Sequence, residues 1–413
     1  MTDVPAGPGT DEVELARLVR AHERWRGRAV FNLLPSENAV SPAARKYLGS
    51  DLAGRYTLPI DSDWHGERID NSYTGTRYTD AIEKLGNAAA ARLFHGRYAT
   101  VRPLSGHIAA LSALAPLLPA KSKVLAIEPK DGGYDGYAPG FIPALLGYTV
   151  RPLPADGAGH SVDAGAAVAA IRSERPQAVI LGQSFFLFPY PLAEIVEAAR
   201  SVEALVLYDA SHVLGLIAGG EFQDPLRAGV DVLFGSTHKS FPGPQGGLLV
   251  TDREDLFRQI DPALVWRIFD NAHWNRIAGV TQTLLELERF GPDYARTTVA
   301  NAQALGAALT EKGWPIVAAD HGYTRSHQIH IDPSELHAKR GYGSGTLARR
   351  LERQGLLIDL VGRIGTAEAA RLGLAPGDMP RLADLLERGS RGRPTVTREV
   401  RAWRRTFVGL QFV

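Results

Sequence analysis

The chain has 413 residues, a formal net charge of +1 and no cysteine. That balance gives no strong field to draw nucleic acid or an acidic membrane surface, and the lack of thiols excludes disulfides, thiolate metal sites and a cysteine nucleophile. The length exceeds what one simple core serves, so two domains around a shared cleft are expected.

The first residues, Met1–Glu12, are polar and acidic, with no basic stretch leading into an apolar one. No apolar run approaches the roughly 18 residues of a membrane span, so a secretory signal and a bilayer helix are not expected and a cytoplasmic location is. Met1–Thr10 reads as a loose tail. Glu12–Arg26 reads as a helix stopped by Gly27, with Val13, Leu15, Leu18 and Val19 at helical spacing. It is either an arm gripping a partner subunit or a helix packed on its own domain. From Ala99 to Val250, short apolar runs (Val124–Ile127, Ala178–Leu181, Leu205–Tyr208, Val232–Phe234, Leu248–Val250) alternate with the helical patterns His107–Leu118 and Leu192–Val202. Apolar runs too short for helices, alternating with helices, predict a mostly parallel sheet, with ligands beyond the carboxyl ends of its strands. Pro262–Gly279 reads as loop, Val280–Phe290 and Ala295–Lys312 as two helices. Gln328–Ile331, Leu356–Asp359 and the helix Met379–Arg388 then form a small α/β layer. The expected division is an N-terminal arm at 1–30, a large α/β domain at 31–290 and a smaller C-terminal α/β domain at 291–413.

The densest chemical signal is Gly235-Ser236-Thr237-His238-Lys239-Ser240, running into Pro242-Gly243-Pro244-Gln245-Gly246-Gly247. Only eight lysines occur in the chain, so one between a strand and a Gly/Pro turn, flanked by hydroxyls and a histidine, stands out. A lysine that forms a Schiff base with pyridoxal 5′-phosphate (PLP) needs such a turn, and nearby hydroxyls and N–H groups suit the phosphate. The plain alternative is a surface lysine on a Gly-rich loop. Asp209-Ala210-Ser211-His212 follows an apolar strand 30 residues earlier. A buried carboxylate there keeps a pyridine nitrogen protonated; the alternative is a helix cap. His212 either faces the cofactor or supports Asp209. Ser105-Gly106-His107 opens an Ala-rich helix and suits a phosphate, or is simply a cap. His327, His330 and His337 are too irregularly spaced for a metal site, His160 and His321 read as loop residues, and no metal is expected.

Taken together, Ser36-Glu37-Asn38 with Ser41-Pro42, Ser105-Gly106, Asp209-x-x-His212 and Thr237-His238-Lys239 with its Gly-Pro-x-Gly-Gly tail resemble the serine hydroxymethyltransferase family of fold-type-I PLP enzymes, from about Phe31 to Gly373. The resemblance implies a large mostly parallel-sheet domain with a smaller C-terminal one. It implies Lys239 as the cofactor lysine, Asp209 as pyridine partner, Ser105, Gly106, His107, Thr237 and His238 around the phosphate, His212 beside Asp209, and Ser184 near the ring hydroxyl. It implies Ser36 and Arg371 at the substrate carboxylate, with Arg363-Ile364-Gly365-Thr366 the nearby matching motif. Tyr56 and Tyr73 would be substrate groups, Tyr56 reaching into a neighbouring subunit of a homodimer.

Three departures stand out. The family's Glu two residues after the tyrosine is Leu58. The segment Tyr56–Tyr73 is several residues longer, with Asp61, Asp63, Trp64, His65 and Glu67. The family's ring-stacking histidine is Tyr134, in Asp131-Gly132-Gly133-Tyr134, which keeps an aromatic face but not an imidazole. The expectation is therefore retro-aldol or transaldol chemistry on a small β-hydroxy-α-amino acid, with a carbanion delocalised into the cofactor and Lys239, Tyr56, Asp209 and Tyr134 in the catalytic roles. An aldehyde is the second substrate. Folate-dependent hydroxymethyl transfer is the main alternative; transamination, cyclisation, elimination and a non-catalytic binding module are the others.

Overall fold

The computed structural model describes residues 9–59, 61–156, 161–393 and 395–413. Met1–Pro8 of the expected tail, and His160, lie outside the described residues; Thr10 already opens a helix, Thr10–Arg28. Gly27 does not stop it, and Val13, Leu15, Leu18 and Val19 are all exposed rather than packed on their own domain.

The centre is a seven-stranded sheet: β1 Tyr98–Thr100, β2 Lys123–Ala126, β3 Thr149–Pro152, β4 Ala178–Gly182, β5 Leu205–Asp209, β6 Val232–Ser236 and β7 Gly247–Thr251. Its order is β1-β7-β6-β5-β4-β2-β3. Strands β3, β2, β4, β5 and β6 run parallel; β7 is antiparallel to both β6 and β1. The apolar runs are continuous because both faces are covered. Val179, Leu181, Val206, Tyr208 and Leu233 enter one core, while Ala178, Ile180, Leu207, Val232 and Phe234 enter another. The period-2 alternation of a strand thus feeds two separate cores.

A third core joins Phe31 and Leu33 to Leu305, Leu309, Trp314, Ile329, Leu356, Leu386 and Trp403. Phe31–Asn32 pairs in parallel with Leu356–Leu357, and Gln328–His330 pairs antiparallel with Arg363–Gly365. The expected boundary at 290/291 falls inside one 38-residue helix, Trp274–Glu311. Gly291-Pro292 lies between the two helices expected from the sequence. The helix continues because its buried residues span that point, from Val280 and Leu287 to Tyr294 and Val299. The expected loop Pro262–Gly279 is shorter than read: the helix Glu254–Leu264 runs through Pro262, and the long helix already starts at Trp274.

Candidate active site

The site is built on strand ends. In register, Gly182, the last residue of β4, lies beside Asp209, the last residue of β5. Asp209 is buried at 6 % exposure. Its Oδ1 accepts from Ser211 N at 2.9 Å and its Oδ2 from the Tyr137 hydroxyl at 2.6 Å. It caps no helix: the next one, Leu214–Ala218, begins after Val213. Burial and the neighbouring Asp209 hold the Tyr137 phenol well above its ordinary range, so it is a permanent donor to the carboxylate. A Cβ on Gly182 would come within 2.9 Å of both Asp209 Cβ and the Tyr137 ring, so only glycine leaves room for this pair.

Lys239 follows β6 on a turn made rigid by Thr237. Thr237 is fully buried, donates its hydroxyl to Pro244 O at 2.7 Å and its N–H to Gly246 O at 3.0 Å. Asn38 Nδ2 donates to the Lys239 carbonyl at 2.8 Å. The Lys239 amine opens into a cavity of about 220 Å³ lined by Ser105, Gly106, His107, Tyr134, Gln183, Ser184, Asp209, Ser211, His212, Ser236 and His238. Burial pushes its ammonium down to about 8; Asp209 opposes that and Arg363 adds to it. Among the described residues it has no ion-pair partner within 4.0 Å. Burial likewise lowers His238 to about 4 and takes His212 well below its ordinary range, with Lys239 as the next cause in both. His212 stacks on His327, ring centroids 5.7 Å apart.

Ser105 caps the helix Gly106–Leu117, its Oγ accepting from Ile108 N at 3.1 Å, and also lines the cavity. The cap and the anion-site readings are therefore compatible. A Cβ on Gly106 would meet Ser236 Cβ at 2.8 Å and Ser211 Oγ at 3.1 Å, so glycine keeps this floor open. Tyr134 lies across the cavity with its hydroxyl 3.0 Å from His107 Nδ1 and its ring edge-on to Tyr137.

Of the expected site residues, Ser105, Gly106, His107, Tyr134, Ser184, Asp209, His212, His238 and Lys239 are thus gathered around one cavity. Thr237 shapes the turn without lining the cavity. Ser36 sits beside Pro35, whose carbonyl contacts His327 Nε2 at 3.0 Å. Tyr56 and Tyr73 line no part of this cavity. They pack against each other, centroids 5.0 Å apart, and the Tyr56 hydroxyl is held by Asp270, which drives that phenol up to about 12.

Arg371 does not line this cavity, and its Nε is buried without a partner. It is buried at 1 % exposure and its guanidinium is engaged by the carbonyls of Phe412 and Ala39. The guanidinium next to the site is Arg363, which donates to Ser184 O at 2.7 Å and to Asp359 at 2.6 Å. The signal was there, since Arg363 opens the matching Arg-Ile-Gly-Thr motif. Ser211 and Ser236 stand inside the sequence motifs without being singled out, and Tyr137, Gln183 and Asp270 have no role in the sequence reading. Tyr137 had a readable cue, an aromatic three residues after Tyr134; Asp270 had none.

Glu37, Asp61 and Asp63 are each engaged in contacts of their own. Leu58 is buried at 5 % exposure. Glu37 pairs with Arg26 and accepts from Asn32 at 3.1 Å. The longer segment is a hairpin, Ser62–Trp64 with Glu67–Ile69, in which Asp61 holds Arg68 and Asp63 accepts from Gly66 N. Among the described residues no group of three His, Cys, Asp or Glu is placed to hold a metal ion.

Comparison with known proteins agrees with this geometry. Residues 10–345 match the sequence profile described as serine hydroxymethyltransferase. The chain is 37 % identical to the serine hydroxymethyltransferase of Pyrobaculum aerophilum, over 97 % of this chain and 94 % of that one. It is 36 % identical to that of Methanopyrus kandleri, over 98 % and 96 %. The chain belongs to the serine hydroxymethyltransferase family. Its fold is also that of a solved L-threonine transaldolase from Pseudomonas fluorescens, with a TM-score of 0.86 at 23 % identity, covering 97 % of this chain and 93 % of that one.

The chain is a PLP-dependent enzyme of this family, acting at Cα and Cβ of amino acids. The residues fit the cofactor. The cavity places one amine without an ion-pair partner, a buried carboxylate and an open glycine floor together, and leaves His212 Nδ1, His238 Nδ1 and Gln183 Oε1 buried without partners. Bound there, PLP supplies a ring that withdraws electrons from the amino-acid Cα.

Proposed function

We propose that the protein cleaves a small β-hydroxy-α-amino acid between Cα and Cβ and transfers the glycyl unit to an aldehyde, without folate. Lys239 holds the cofactor, Asp209 its ring nitrogen, and Ser105, Gly106 and His238 its phosphate. Arg363 replaces Arg371 as the group for the substrate carboxylate, with Ser36 beside it. Two copies assemble as a homodimer, and the exposed Tyr56 and Tyr73 of one serve the cavity of the other. A cytoplasmic location belongs to the same reading; among the described residues no helix is long and apolar enough to cross a membrane.

The observation that carries the reading is Leu58. A buried leucine can neither give nor take a proton, and the two acids that follow it most closely, Asp61 and Asp63, are tied into other contacts. The likeness of fold to a threonine transaldolase supports the same direction. The holoenzyme is given L-threonine and an aromatic aldehyde with no tetrahydrofolate. Formation of acetaldehyde together with a new β-hydroxy amino acid is expected. A reaction that proceeds only with L-serine and tetrahydrofolate would establish the second reading, folate-dependent hydroxymethyl transfer, which the 34–37 % identity to curated enzymes of that name favours.

A further inference from the structure

Aldol chemistry needs a group that takes a proton from the β-hydroxyl during cleavage and returns one to an aldehyde oxygen during addition. Leu58 does not supply it. Around the Lys239 cavity the aromatic Tyr134 is the one phenol that lines the space, and its hydroxyl lies 3.0 Å from Nδ1 of His107, which lines the same space. Tyr134 is fixed from two sides, by this contact and by the edge of Tyr137 at 5.3 Å. Tyr137 in turn is pinned to Asp209.

We propose that Tyr134 and His107 form the acid–base couple of this site, with Tyr134 touching the substrate β-oxygen and His107 acting behind it as the positioning and relay residue. This rests on the aldol reading above. In cleavage, the Cβ–O–H group loses its proton to Tyr134 Oη while the proton of Tyr134 passes to His107 Nδ1. The carbonyl of the aldehyde forms, and the Cα–Cβ bond breaks with its electron pair left at Cα. Addition to a second aldehyde runs the same transfers backwards. The phenol is neutral before and after; the charge appears on His107, which is solvent-exposed and can trade protons with water.

Tyr134 does not perform this alone. Burial, then Asp209 and Asp135, hold its phenol above the ordinary range, so it is a poor base without an acceptor behind it. The other imidazoles facing the cavity are poor acceptors. His238 is lowered to about 4 and His212 well below its ordinary range, and His327, stacked on His212, is lowered to about 4. Lys239 is committed to the cofactor.

The test uses holoenzyme saturated with PLP, as wild type, His107→Gln, Tyr134→Phe and the double variant. Aldehyde release from L-threonine is followed from pH 5 to 9. Each single variant is expected to lose about 100-fold in kcat with KM within a few-fold, and the double variant no more than either single. The wild-type rate falls on the acid side, and that limb is absent from His107→Gln. A limb that survives in His107→Gln, or a double variant that loses the product of the two single effects, overturns the proposal. A second readout needs no turnover: the His107 ring resonance is titrated by NMR in wild type and Tyr134→Phe. A shifted midpoint supports the couple, and an unchanged one overturns it. If wild type cleaves no β-hydroxy amino acid, the aldol reading fails by itself, and the NMR result still decides the couple.

Discussion

Replacing Tyr137 by Phe removes one oxygen atom and keeps the ring. Tyr137 is at 1 % exposure and its hydroxyl donates to Asp209 Oδ2 at 2.6 Å, a charge-assisted hydrogen bond inside the protein. Losing such a bond costs about 1.5–3 kcal/mol. The ring still fills its place between Gly182 and Tyr134, so no cavity cost is added. Asp209 then keeps Ser211 N as its remaining protein donor. The lower end of the range is expected for cofactor-free protein, because Asp209 lines the cavity and water can reach it. Urea unfolding of PLP-free wild type and Tyr137→Phe measures the difference, with equal slopes showing that both states keep their compactness. A change under 0.5 kcal/mol would refute the reasoning, since it would mean that Tyr137 does not hold the carboxylate.

Three further outcomes follow from the same geometry. Borohydride treatment of the holoenzyme, followed by peptide mass spectrometry, is expected to find the cofactor on the Lys239 peptide and on none of the other seven lysines. Gly106→Ala places a methyl 2.8 Å from Ser236 Cβ; a loss of about 1–3 kcal/mol in stability and at least about tenfold in PLP affinity is expected by urea titration and fluorescence. In PLP-free protein, Lys239 loses its proton at about 8 when folded but near 10.4 when unfolded. Between those values the unfolded chain holds the extra proton, so stability rises with pH through that window, and Lys239→Met flattens the rise in a pH series of urea titrations.

The sheet and the cofactor bed were legible because they follow from local rules. Each strand buried on both faces reads as an unbroken apolar run, and Asp209 and Lys239 sit where two such runs stop. The strand Thr149–Pro152 was missed because it lies at the sheet edge, partly exposed, and ends in proline. The long helix Trp274–Glu311 reads as two in sequence, on either side of a proline, which lacks the N–H that a helix interior uses. Here tertiary burial on both sides of Pro292 overrides that local cost. Arg371 is read from the family resemblance, downstream of the motif that Arg363 opens. Spacing does not say which way a guanidinium points, and the 371 side chain turns into the interior towards Phe412.

What remains hidden from sequence is pairing between loops distant in the chain. Tyr56 and Asp270 meet across 214 residues, and His107 and Tyr134 across 27. These pairs differ in kind from the Asp209 and Lys239 bed. The bed hangs on the ends of adjacent strands, whose register changes only if the core changes. The side chains on turns and helix starts move freely in sequence without disturbing that core. Reaction choice within one such scaffold is therefore carried by the second group, while whole-chain identity is dominated by the first. Leu58 illustrates the consequence. Its backbone is held by Asn71 Oδ1 at 3.2 Å and by Ser72 N at 3.1 Å, and its side chain is buried. A carboxylate introduced there would enter a buried place, and Arg68 of the following hairpin already pairs with Asp61. On the aldol reading proposed above, Leu58→Glu alone is not expected to confer hydroxymethyl transfer from L-serine to tetrahydrofolate.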